Sequence, residues 1–119
     1  MLERENKNSN KIYLYAYSDA GDFLYNAYEF SAYLLTKLFD TLELKKEVKP
    51  ESGITLYVVH LTPEFVVEQF LGPNATVGDL FIKVVLDSPA LCIRWKGEFK
   101  ELKNKWQGKH AGMHPNGSF

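Results

Sequence analysis

Residues 11–42 read KIYLYAYSDAGDFLYNAYEFSAYLLTKLFDTL, and how this stretch divides between strand and helix decides the fold. In residues 12–17 the side chains alternate, so Ile12, Leu14 and Ala16 share one face and Tyr13, Tyr15 and Tyr17 the other. An aliphatic face of that kind asks for a helix to cover it. Leu24, Ala27, Tyr28, Ser31, Leu34, Leu35, Leu38 and Leu42 recur at the three-to-four-residue spacing of one helical stripe, with Asp22, Asn26, Glu29, Lys37 and Asp40 opposite. Asp19 suits the N-cap of such a helix and Asp22 its first turn. A rival division makes residues 18–22 a hairpin turn around Gly21, residues 22–27 a second strand, and Glu29 the start of the helix. The persistence of the helical spacing across the whole segment favours the first division.

Outward from that unit, residues 43–49, ELKKEVK, have the charged composition of an edge strand. Residues 54–61, ITLYVVHL, are β-branched, aromatic and apolar nearly throughout, as expected of a central strand. Thr62-Pro63-Glu64 opens a helix carrying Phe65, Val66 and Phe70, which Gly72-Pro73 stops. Residues 80–86, LFIKVVL, read as a strand, although Thr76-Val77-Gly78-Asp79 resembles a capping box that would open a helix instead. After a turn at Asp87-Ser88-Pro89, residues 91–96, LCIRWK, read as the partner strand of a hairpin. Residues 98–107 carry acidic residues first and lysines last, the charge order of a helix. The resulting order, βαββαβ followed by a strand and a helix, predicts an α+β ferredoxin-like sandwich with an added C-terminal strand and helix.

A chain of 119 residues with 45% apolar content is expected to form one domain, here over residues 11–108. Residues 1–10 are polar and without periodicity and read as a disordered tail, and residues 109–119 as a flexible one. No run approaches the length of a membrane span, nothing at the N-terminus resembles a signal peptide, and a single cysteine, Cys92, fits a reducing compartment; the expected location is cytoplasmic. The net charge of −1 conceals an asymmetry: residues 1–90 hold 8 Lys/Arg against 13 Asp/Glu, residues 91–119 hold 6 against 2.

Four sets of residues are candidates for function. Tyr13, Tyr15 and Tyr17, joined by Tyr57 from the central strand, would make an aromatic sheet face suited to binding another protein or a second copy of the chain. The basic C-terminal end, with Lys100, Lys103 and Lys105, would let the same face bind nucleic acid by stacking and phosphate neutralisation. Asp19, Asp22 and His60 would suit a metal-dependent phosphodiesterase or nuclease if the fold gathered them. His110 and His114, four apart, have the spacing of a metal-binding pair, although Gly112 and Pro115 argue against a helix there. The reading these support first is a homodimeric binding protein without a cofactor and without membrane contact; no phosphate loop, nucleophile elbow or paired-cysteine motif speaks for an enzyme.

Overall fold

A computed structural model describes residues 1–19, 22–50 and 52–112, with side chains for all of these except residues 18, 19, 22, 23 and 106–112. The elements are α1 (Leu2–Lys7), β1 (Lys11–Asp19), β2 (Asp22–Tyr28), α2 (Glu29–Leu38), β3 (Lys45–Val48), β4 (Thr55–Leu61), α3 (Pro63–Phe70), β5 (Ala75–Val77), β6 (Phe81–Val85) and α4 (Pro89–Gly112). The six strands form one sheet in the order β3-β4-β2-β1-β6-β5, with antiparallel neighbours throughout.

The α+β class therefore holds, but the ferredoxin-like topology does not. That topology needs a helix between the first two strands, whereas β1 and β2 are a hairpin with Tyr15 opposite Asn26 and Asp19 opposite Asp22. The rival division of residues 11–42 is the one adopted. In DFLYNAY the faces alternate, with Ala27 in the core and Asn26 and Tyr28 on the reverse, and the aromatic content favours extended backbone. Helix begins only at Glu29, whose φ of +53° turns the chain sharply out of the strand; for a residue with a side chain this conformation is strained.

The core lies between one face of the sheet and the helices. Ile12 and Leu14 from β1, Tyr57, Val59 and Leu61 from β4, and Ile82 and Val84 from β6 meet Phe30, Leu34 and Leu35 of α2, Val66 and Phe70 of α3, and Cys92 and Phe99 of α4. Ala16 shares the parity of Ile12 and Leu14 but is exposed, because the hairpin runs past the last rungs of both neighbouring strands. Thr62 caps α3 as expected, its Oγ1 accepting from Phe65 N at 3.2 Å, with Pro63 at the first helical position.

Two further expectations are corrected. Residues 91–96 are not a strand: α4 begins at Pro89, and its buried stripe of Cys92 and Phe99, flanked by the half-buried Trp95 and Leu102, has helical spacing, while Ile93 is 72% exposed. Residues 1–10 are not a tail, because residues 2–7 form α1 and Glu5 and Asn8 are buried. Helix α1 sits where β1 and β2 part. Beyond Tyr15 the two strands no longer pair, β2 continues against β4, and Ser31 of α2 takes up the backbone instead, its Oγ accepting from Tyr13 N at 3.0 Å.

Glu5 fills the same gap. Its carboxylate accepts from Ser31 N at 2.9 Å, Ser31 Oγ at 2.7 Å and Asn8 Nδ2 at 3.2 Å. Asn8 closes the turn into β1 by donating to Lys11 O and accepting from Lys11 N. From α4, Lys96 Nζ donates to the carbonyls of Glu5 and Asn8, at 3.2 and 2.6 Å, and so satisfies the last carbonyls of the short helix.

Candidate functional site: the open face of the sheet

Register places Tyr13, Tyr15 and Tyr17 on the sheet face opposite the core, as their alternation requires. Phe81 and Lys83 of β6 pair with Tyr15 and Tyr13, so they share this face. The rings interlock rather than lie flat. Tyr13 and Phe81 meet edge-on at 5.1 Å and 87°, and Tyr15 and Phe81 at 5.8 Å and 61°. Arg4, projected from α1, lies across them, with its guanidinium carbon 4.3 Å from the Phe81 centroid, 5.5 Å from Tyr13 and 5.9 Å from Tyr15. Its Nη1 donates to Tyr15 Oη at 2.8 Å, and that bond raises the Arg4 pKa further. Burial raises Tyr13 and Tyr15 above the ordinary phenol value.

On the other half of the face Leu2 of α1 packs against the buried Tyr28, Leu56 and Val58, and a chain of polar side chains borders them. Asn26 Nδ2 and Lys49 Nζ both donate to Tyr28 Oη, at 3.0 and 3.2 Å, and His60 stands between Asn26 Oδ1 and Glu47 Oε2, 2.6 Å from each. This chain of five side chains crosses β2, β4 and β3 and ends at the turn after β3. Both ring nitrogens of His60 are engaged within it, which leaves neither to take a proton from a substrate without breaking a bond. Compared with protein-family models, curated proteins and solved structures, the chain has no match.

The remaining candidates are scattered. Tyr57 lies on the core face, T-shaped against Phe99 at 5.6 Å, because its parity along β4 is that of Val59 and not of His60. Its hydroxyl has no partner among the described residues. Lys100, Lys103 and Lys105 belong to α4 on the helical side of the sheet, so they form no common surface with the tyrosines. Lys103 is moreover paired with the buried Glu29 at 2.7 Å, and Glu29 also accepts from Tyr57 N at 2.9 Å. Asp19 and Asp22 oppose each other at the end of the hairpin, whereas His60 pairs with Asn26, four residues or about 13 Å further along β2. The register therefore keeps His60 apart from the two carboxylates.

His110 falls within α4, where a flexible tail was expected, and His114 lies outside the described residues. Among the described residues no group of three His, Cys, Asp or Glu side chains could hold a metal ion, and no helix is long and apolar enough to cross a membrane. Cys92 is buried, and burial pushes its thiol up, away from the thiolate. Sequence reasoning overlooked Arg4, Glu5, Asn26, Glu47, Lys49 and Phe81. For Arg4 and Glu5 a signal existed, since LERENK consists largely of good helix formers; for the others only the register identifies the shared face.

Proposed function

We propose that the protein is a binding protein that engages an acidic protein surface through the β1–β6 half of its open sheet face. The observation that carries this reading is Arg4 held across the interlocked rings of Tyr13, Tyr15 and Phe81. Arginine among pre-organised aromatic rings is the composition of an interface hot spot, and only one of the guanidinium's five donors is used by Tyr15. Lys83 adds a second cation beside Tyr13, while Glu3 is paired with Lys7 and Glu5 is buried. A twofold self-contact would set these cations against their own copies, so the geometry favours a different, acidic partner over a homodimer.

Nucleic acid is the second reading, favoured by the proximity of Lys83 to the tyrosines. It is the weaker one because Arg4 covers the ring faces on which bases would stack. The test is anisotropy with labelled Glu/Asp-rich peptides and labelled single-stranded oligonucleotides at low and moderate salt. Peptide binding that weakens with salt and falls at least about tenfold in Arg4→Ala and in Tyr13→Ser is expected. Oligonucleotide binding without peptide binding would transfer the assignment to nucleic acid. Binding of neither would leave the face without a ligand and sink the proposal.

A further inference from the structure

At the polar end of the open face, between the start of α1 and the β3–β4 turn, lies a cavity of about 280 Å³ lined by Met1, Leu2, Lys49, Ser52, Ile54 and Leu56. Its walls are of two kinds. Leu2, Ile54 and Leu56 are aliphatic, and Ile54 is 44% exposed. Lys49 and Ser52 are polar, and Ser52 Oγ accepts from Ile54 N at 3.4 Å, which leaves its hydroxyl hydrogen to donate.

The turn beneath is held by backbone hydrogen bonds. Lys49 N donates to Ile54 O at 2.8 Å, and Lys49 O accepts from Gly53 N at 2.7 Å, with Gly53 in the left-handed conformation that such a turn needs. The Lys49 ammonium is itself positioned. It donates to Tyr28 Oη and lies 4.7 Å over the Tyr28 ring; Tyr28 Oη also accepts from Asn26, which is bonded to His60, and His60 to Glu47. An ammonium has three donors, of which Tyr28 takes one. A fixed cation and a hydroxyl at the rim of an aliphatic hollow complement a group that is anionic at one end and hydrocarbon at the other.

We infer that this cavity is a binding site for a short aliphatic carboxylate, its head on Lys49 and Ser52 and its chain against Leu2, Ile54 and Leu56. The inference does not depend on the partner proposed for the β1–β6 half of the face. Size sets the expected strength: eight non-hydrogen atoms, as in hexanoate, give a Kd of about 1 mM at ordinary ligand efficiency.

The experiment is calorimetric and NMR titration of the full chain with hexanoate, and separately with hexanol and with acetate. Hexanoate is expected to bind and to move the amide signals of Lys49, Ser52, Ile54 and Leu56, while hexanol lacks the charge and acetate the chain, so each binds at least about tenfold more weakly. Lys49→Met is expected to abolish hexanoate binding. Because that change also removes a partner of Tyr28, Ile54→Ser serves as the second variant: it leaves the polar chain intact and should weaken binding about tenfold. Failure of hexanoate to bind at about 20 mM, equal binding of hexanol or acetate, or unchanged binding in both variants would each overturn the assignment.

Discussion

Glu5 is the residue on which the N-terminal segment depends. A carboxylate 1% exposed has lost most of its hydration, and burial raises its pKa above the ordinary carboxylate value even though Ser31 and Asn8 donate to it. The fold thus binds this proton more tightly than the unfolded chain does. Stability from Glu5 is therefore greatest at low pH and declines as pH rises from the ordinary carboxylate value to the raised one. Urea titrations across the acid range should show that slope in the wild type and lose it in Glu5→Gln. Glu5→Ala should lower the unfolding free energy by about 2 kcal/mol at neutral pH, because Ser31 N–H and Asn8 Nδ2 lose their acceptor.

Lys96 shows the opposite shift. Burial sets it below the ordinary lysine value although its ammonium caps backbone carbonyls, so its contribution increases as pH rises toward the ordinary lysine value. Cys92 gives a third expectation at this scale. In the native protein it should react with a thiol reagent at least about a hundredfold more slowly than in denaturant, and rapid native labelling would contradict its buried place on α4.

At the scale of elements, two of the glycines with open surroundings make contrasting predictions. Gly97 lies in the middle of α4 with nothing within 4 Å of a would-be Cβ, so Gly97→Ala should stabilise the protein by about 0.5–1 kcal/mol. Gly53 also has room but sits at φ +71°, and Gly53→Ala should cost about 1 kcal/mol. Thermal unfolding of the pair measures both, and a shared sign would contradict one of the two backbone assignments.

Elements with strong local grammar were legible from the sequence. Thr62-Pro63 marked α3, the run of β-branched residues marked β4, and Val84-Val85 marked β6. Misreadings arose where two periodicities coincide. Leu24, Ala27 and Tyr28 fit a helical stripe and alternating strand faces equally well, and only pairing with β4 on the far side decides between them. In residues 91–96 a short alternation masked the longer stripe of Cys92, Phe99 and Leu102, even though Ser88-Pro89 opens α4 much as Thr62-Pro63 opens α3. The site was half legible: Tyr13, Tyr15 and Tyr17 follow from strand parity, but Arg4 and Phe81 join them only through long-range pairing.

For the molecule as a whole, the sheet separates two charge environments. The lysines of α4 lie with the helices, and Arg4 and Lys83 lie on the opposite face. The basic C-terminal end is thus not one surface with the tyrosines. Lys100→Ala or Lys105→Ala should leave binding through the open face unchanged within about twofold, because neither side chain reaches it. A tenfold loss in either variant would place the ligand on the helical side instead.

The capping of α1 by Lys96 has a consequence for the order in which the chain can take shape. The donor follows the Glu5 carbonyl by 91 residues, and the Ser31 groups that hold Glu5 lie in the second helix, so α1 lacks part of its anchor until α4 has joined the fold. On a ribosome, α1 would wait unsettled while the sheet is built behind it. In refolding from denaturant, protection of its amides should be the last to develop.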